Sequence, residues 1–280
     1  MNVYLTDGTE EGFYTAAFYA CTDAGSTITS QKNVQLALDA CVVETAADAE
    51  KCARVKAKLR ACDARCLHEF SLLLRRGCAQ REEIALAYLR LIVREGRPVR
   101  DMLAHPAVLA ARENIRKVTG EAHNFTGFLR FMEGEGGIFY APFEPDNDIL
   151  TLILPHFMKR FSSQPFVIHD VRRAKAALCN GGECAVVSTE GGVSIPLSER
   201  EEYFIGLWKQ YYRSVNIEQP PHEKQMTGYM PVRYWKYMPE KKQQCRAPAE
   251  NRGRLFICFS PCPSACRRKR TCEVPQKTFR

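Results

Sequence analysis

Apolar residues recur along this chain with two periods, and each period predicts an element. Val3 to Leu5 is a short apolar run closed by Asp7-Gly8, which predicts a strand and a turn, and Thr9 stands where a helix cap belongs. Phe13, Ala16, Ala17 and Ala20 share one helical face, so a helix is expected from about Glu10 to Cys21. Residues 22–44 are mixed, with a strand expected near Val34 to Leu38. From about Ala46 to Thr119 the period is helical. Ile84, Ala85, Tyr88, Leu89, Ile92 and Val93 mark one face, Gly96 is the expected stop, and Leu103 to Arg116 repeats the pattern. Residues 45–119 therefore read as a helical lobe whose charges lie mostly on solvated faces.

The pattern then changes. Phe128 to Phe143 predicts a hairpin, with Gly134, Gly136 and Gly137 at its turn. Asp146 or Asn147 is the expected cap of a helix ending near Phe161 and bent or divided at Pro155. Phe166 to His169 and Ala185 to Val187 read as strands. Ser198-Glu199-Arg200-Glu201 is a capping box, and the helix it opens carries Phe204, Leu207, Trp208, Tyr211 and Val215 on one face. After Pro220-Pro221 a last helical segment runs from about Glu223 to Tyr237. The expected class is α+β, with a small, mostly antiparallel sheet and many helices.

Composition changes this picture in three places. No stretch reaches the roughly 18 apolar residues of a membrane span, and no basic-then-apolar leader opens the chain, so a cytoplasmic location with no membrane partner is expected. The formal charge is +8, but residues 241–280 hold 11 Lys or Arg against 2 Glu. The first 240 residues are thus nearly balanced, and any basic groove there must come from local clustering. Of 13 cysteines, eight lie in residues 1–240. A reducing cytoplasm keeps most of these as thiols, and buried thiols pack as small hydrophobes.

Separated motifs carry a resemblance. His123-Asn124-Phe125-Thr126-Gly127-Phe128-Leu129-Arg130-Phe131 is followed by Phe143-Glu144-Pro145-Asp146, then His156-Phe157, Arg160-Phe161 and Ile168-His169-Asp170. Later come Leu207-Trp208-Lys209-Gln210-Tyr211-Tyr212, Met230-Pro231-Val232-Arg233-Tyr234-Trp235 and Met238-Pro239-Glu240, and near the start Tyr4-Leu5-Thr6-Asp7-Gly8-Thr9. In this order the set resembles a bacterial domain-of-unknown-function family described as DNA metabolism proteins, over roughly residues 1–240. The resemblance implies a pathway: such proteins are encoded beside a radical SAM protein of DNA modification or repair, and some are fused to uracil-DNA-glycosylase-like domains. It implies no reaction. The family pattern stops near Met238-Pro239-Glu240, so it says nothing of residues 241–280.

Candidate chemistry falls into three groups. Arg130, Arg160, Arg172 and Arg173 are candidates to converge on phosphate, which Arg grips bidentately, with His123, Glu144, His156 and Asp170 as acids and bases beside them. Ordinary ion pairs, such as Arg130 with Glu144 across the hairpin, account for the same residues. Residues 203–237 interleave nine aromatics with Lys and Arg, a composition suited to stacking on unpaired bases. The single stripe of Phe204, Trp208 and Tyr211 favours core packing, leaving Tyr212 and Trp235, with Arg233, as the expected exposed contacts. Cys62, Cys66 and Cys78 with His68 match no compact metal pattern, so packing is expected there; Cys179 and Cys184 can meet across the Gly181-Gly182 turn, again without a metal match, and no metal is assigned.

Cys258, Cys262, Cys266 and Cys272 in the tail are at best ligands of one cluster. A disordered appendage, or out-of-frame translation past a lost stop codon, explains the same composition, and removal of residues 243–280 is expected to leave thermal stability unchanged. No P-loop, dinucleotide fingerprint, serine elbow, zinc-protease helix or radical SAM cysteine triad is present, so no cofactor is expected. The leading expectation is an accessory protein of DNA repair or modification that contacts nucleic acid and acts with a radical SAM protein. An enzyme acting on a nucleotide or a DNA lesion, and an interaction module working through the helical lobe, are the alternatives.

Overall fold

A computed structural model describes residues 1–31, 40–190, 193, 195–215 and 230–238, with the Arg233 side chain outside that set. The strand expected at Val34 to Leu38, residues 216–229 and the tail from 239 lie outside the described residues. The fold is α+β, as expected from the two periods.

The chain divides into two units. The first comprises Met1–Arg130, Glu144–Gln164 and Cys179–Cys184. It opens with β1 (Asn2–Leu5) and α1 (Glu10–Ala20). Thr9 caps α1, its hydroxyl accepting from the Gly12 N–H at 3.0 Å. β2 (Thr27–Thr29) and β3 (Cys41–Glu44) both pair parallel with β1, in the order β2-β1-β3. This wholly parallel sheet is a correction to the single, mostly antiparallel sheet read from the sequence. Each of its strands is too short to show a period, and parallel pairing needs only a crossover such as α1.

The helical lobe follows as α2 (Ala49–Cys62), α3 (Cys66–Leu73), α4 (Arg81–Glu95) and α5 (Pro106–Phe128). Gly96 ends α4 in the left-handed region at φ 63°. The core gathers Phe13, Tyr14, Leu59, Phe70, Leu73, Leu86, Tyr88, Leu89 and Ile92 with Cys52, Cys62 and Cys66. Those cysteines therefore pack as apolar groups. Burial, with Asp63 and Glu69 nearby, pushes the Cys66 thiol up to about 11, so it stays protonated at neutral pH.

α5 runs 12 residues past the end expected for it, so His123 to Phe128 are helical and Arg130 lies in the link after the helix and not on a strand. α6 (Leu150–Arg160) packs on α5 within this unit. Pro155 does not divide it. Its N-terminus carries no side-chain cap, because the cap position falls on Ile149 and not on Asp146 or Asn147. Glu121 of α5 accepts from the backbone N–H groups of Asp146 and Asn147, both at 2.9 Å, and from Asn147 Nδ2 at 2.6 Å. Asn147 Oδ1 in turn accepts from Arg76 Nη1 at 2.8 Å and the Gly77 N–H at 3.0 Å. This buried network ties the segment before α6 to α5 and to the turn after α3.

The second unit comprises Phe131–Phe143, Pro165–Leu178 and the described residues from Ala185 onward. β4 (Met132–Glu133) and β5 (Phe139–Phe143) form the expected hairpin around a 3-10 turn at Glu135–Gly137. β5 pairs parallel with β6 (Phe166–Asp170), and β7 (Lys175–Asn180) and β8 (Glu183–Ser188) complete the order β4-β5-β6-β7-β8. The β7–β8 turn is Gly181-Gly182, both with positive φ, and it sets Cys179 opposite Cys184, which are joined in a disulfide. The sequence reading brought the two cysteines together across this turn but assigned no bond between them.

Met132, Tyr140, Val167 and Ala176 form the core of this unit. α7 (Glu199–Val215) begins with half of a capping box. Ser198 Oγ accepts from the Glu201 N–H at 3.2 Å, but the Glu201 carboxylate takes the Glu133 N–H at 3.0 Å in place of the Ser198 N–H. A 3-10 helix, Val232–Tyr237, buries Tyr234 and Tyr237.

Candidate nucleic-acid interface

The predicted acids, bases and cations occupy distinct places. In the first unit His123 is exposed on α5, and His156 and Arg160 are exposed one turn apart on α6, sharing a face as their spacing requires. Arg130 is half-buried, its Nη1 donating to the Gly127 carbonyl at 3.2 Å. Glu144 is half-buried just after β5.

In the second unit Asp170 is fully buried at the end of β6. Its carboxylate accepts from Arg173 Nη1 at 3.0 Å and from the Arg173 N–H at 3.1 Å. That pair is an anchor for the β6–β7 turn, in which Ala174 takes a positive φ of 50°. The geometry of Asp170 and Arg173 is thus that of a structural ion pair. Arg172 is exposed beside it.

A buried polar chain in this unit was not among the candidates. Tyr140 Oη lies 2.7 Å from His169 Nδ1, and His169 Nε2 lies 3.1 Å from Thr189 Oγ1. Burial lowers the His169 pKa from its ordinary value and raises that of Tyr140. The sequence signal was present in Ile168-His169-Asp170, but alternation alone does not say which of two neighbouring polar residues faces inward, and here both are buried.

The aromatic segment is arranged opposite to expectation. The stripe assigned to core packing is on the surface: Phe204 is 48% exposed, Trp208 39% and Tyr211 57%. Tyr212 and Trp235, expected at the surface, are half-buried, and Trp235 Nε1 donates to the Met230 carbonyl at 3.2 Å. The Trp208 and Tyr211 rings lie 5.6 Å apart at 32°, a tilted pair on the exposed side of α7. Lys209 and Arg213, one turn apart, share a different face of α7 from this pair, since side chains one and two residues apart do not meet, and no carboxylate lies between Leu207 and Val215. The acidic residues Glu199, Glu201 and Glu202 sit in the first turn, where the helix dipole favours them. α7 therefore has an acidic start and an aromatic, cationic end.

A hollow of about 820 Å³ in the first unit is bordered by Tyr4, Thr15, Tyr19, Thr45, Asp48 and Lys51. Its polar groups serve the fold. Asp48 caps α2 through the Glu50 and Lys51 N–H groups and pairs with the Lys51 ammonium, and the Asp48 N–H donates to Thr15 Oγ1. Among the described residues no group of three or more His, Cys, Asp or Glu is arranged to hold a metal ion, and no helix is long and apolar enough to cross a membrane.

No curated protein and no solved structure matches the chain. One family pattern does, over residues 79–240, more than half of its length, from just before α4 to the segment after the last 3-10 helix. On that match the chain belongs to the family of domains of unknown function DUF4130.

Proposed function

We propose that this protein is an accessory factor of bacterial DNA metabolism that holds unpaired bases on the Trp208–Tyr211 platform of α7. It acts beside a radical SAM protein, which carries out the reaction on the DNA, and a uracil-DNA-glycosylase-like protein is a second partner of the same pathway. The observation that carries the reading is the exposed Trp208 and Tyr211 pair on a helix end that also carries Lys209 and Arg213 and no carboxylate. Every base has a face to stack on an aromatic ring, and cations on the same helix end attract the phosphates, so such a surface favours single strands without strong sequence preference. The near-balanced charge of residues 1–240 fits a modest affinity built on stacking and local cations. The pathway follows from the motif resemblance.

The test is fluorescence anisotropy of the full-length protein with labelled single- and double-stranded 20-mers over a salt series. Single strands should bind more tightly than duplex, with affinity falling as salt rises. Trp208→Ala should weaken single-strand binding by about 5- to 150-fold, the equivalent of roughly 1–3 kcal/mol for one stacked base. An unchanged affinity in Trp208→Ala would sink the platform. Absence of any binding at low salt would leave a module that works through protein contacts alone.

A further inference from the structure

Among the described residues α2 is the most basic helix: Lys51, Arg54, Lys56, Lys58 and Arg60 stand against the single acid Glu50. Two of these cations have partners. Lys51 pairs with Asp48, and Lys56 Nζ lies 3.3 Å from Glu10. Arg54 and Lys58 are exposed, and neither pairs with a carboxylate among the described residues. They stand four residues apart, so their side chains leave the helix on one face, about 5–6 Å apart at Cβ, where like charges repel.

Between them and the neighbouring helices lies a cavity of about 270 Å³. Its floor is Phe18 and Cys21 at the end of α1, Val55 of α2, and Leu89 and Val93 of α4, and its rim is Arg54 and Lys58. The Arg54 guanidinium carbon lies 5.0 Å over the Phe18 ring. This cation–π contact holds the guanidinium near the ring, and its N–H groups make no pairing with a carboxylate among the described residues. All these residues belong to the first unit.

We infer that this cavity is a nucleotide-unit site, in which a flat base enters the apolar pocket and its phosphate is held between Arg54 and Lys58. The size suits one ring system and is below the range of pockets that enclose larger ligands. Two unpaired cations at the mouth of an apolar cavity match an anionic head on an apolar body, and one phosphate relieves their mutual repulsion. The choice of a nucleotide over other such anions rests on the nucleic-acid reading above, whereas the geometry is independent of α7. The unit has two sources: a free mononucleotide, or a base extruded from a strand.

The experiment is calorimetric titration of the full-length protein with thymidine 5′-monophosphate, thymidine and inorganic phosphate separately, alongside anisotropy with a labelled 20-mer of thymidylate. Wild type, Arg54→Gln/Lys58→Gln and Trp208→Ala are compared. Both substituted pocket residues are exposed, so folding should be unaffected, and circular dichroism checks this. The monophosphate should bind at least tenfold more tightly than thymidine or phosphate. The double variant should lose at least tenfold, and Trp208→Ala should retain it. A matching loss for the 20-mer identifies the strand as the source, and an unchanged 20-mer affinity identifies the free nucleotide. The inference is overturned if wild type binds none of the three small probes, if phosphate alone binds as well as the nucleotide, or if the double variant binds like wild type. Loss of strand binding in Trp208→Ala together with any of those results would sustain the α7 platform and remove this site alone.

Discussion

Tyr14 shows what a single buried atom does in this fold. Its ring is fully buried among Phe13, Phe70 and the cysteines of α2 and α3, with Lys56 Nζ 5.0 Å over its face, yet its hydroxyl has no hydrogen-bond partner among the described residues. An unsatisfied buried hydroxyl costs about 1–3 kcal/mol, and the cation–ring contact does not need it. Tyr14→Phe should therefore stabilise the protein by about 1 kcal/mol, read as a higher urea midpoint at unchanged slope. His169 makes the complementary case. Burial lowers its pKa in the folded chain, so the unfolded chain takes up the proton first. Its contribution to stability is fully present above the unfolded value of about 6.5 and is lost as pH falls from there through the lower folded value. His169→Gln retains a group able to accept from Tyr140 and donate to Thr189 but does not titrate. Urea midpoints measured between about pH 7.5 and 5.5 should fall less in the variant than in wild type. An equal fall would place the acid sensitivity in other groups.

At the scale of elements, the strongest sequence signals were those with a local cause. Gly96 ends α4 because only a residue without Cβ enters the left-handed region without strain, and a Cβ there would meet no other atom. Gly96→Ala should thus cost about 1 kcal/mol through the backbone alone, measured by thermal unfolding. The same logic worked for Thr9 and failed for Asn147, which lies two residues before the α6 cap position at Ile149 and whose amide joins the Glu121 network. For α7 the period gave the stripe but not its cover. A hydrophobic face at helical spacing is the same string whether a core or solvent lies over it. Phe204→Ser and Tyr211→Ser together should accordingly leave the melting temperature within about 2 °C of wild type, the behaviour of surface positions, while single-strand binding falls. A large drop in melting temperature would show that the stripe packs in the native state.

At the scale of the molecule, the two units are interleaved in sequence. Glu144–Gln164, which contains α6, belongs with Met1–Arg130. A fragment ending at Arg130 lacks Ile153, Leu154 and Phe157, which are buried in α6, and leaves Glu121 without Asn147. Residues 1–130 alone should show helical circular dichroism but poor NMR dispersion and a broad thermal transition, whereas residues 1–164 should restore cooperative unfolding of the first unit. A sharp transition in the shorter fragment would make α6 dispensable.

The sequence by itself determined what short-range physics controls: the α+β class, the helical lobe, the β4–β5 hairpin, the caps at Thr9 and Gly96, and the motifs that mark the family. It also restricted the charge argument, since a balanced body required local clustering of cations. Tertiary structure alone decided which strands pair in parallel, because three strands of three or four residues carry no register information of their own. It decided that Asp170 is sealed against Arg173, that Phe204, Trp208 and Tyr211 of α7 face outward, and that Arg54 and Lys58 of α2 line an apolar cavity formed with α1 and α4. Each of these depends on which residues distant in sequence come to lie beside one another, and burial is a property of that neighbourhood and not of the residue.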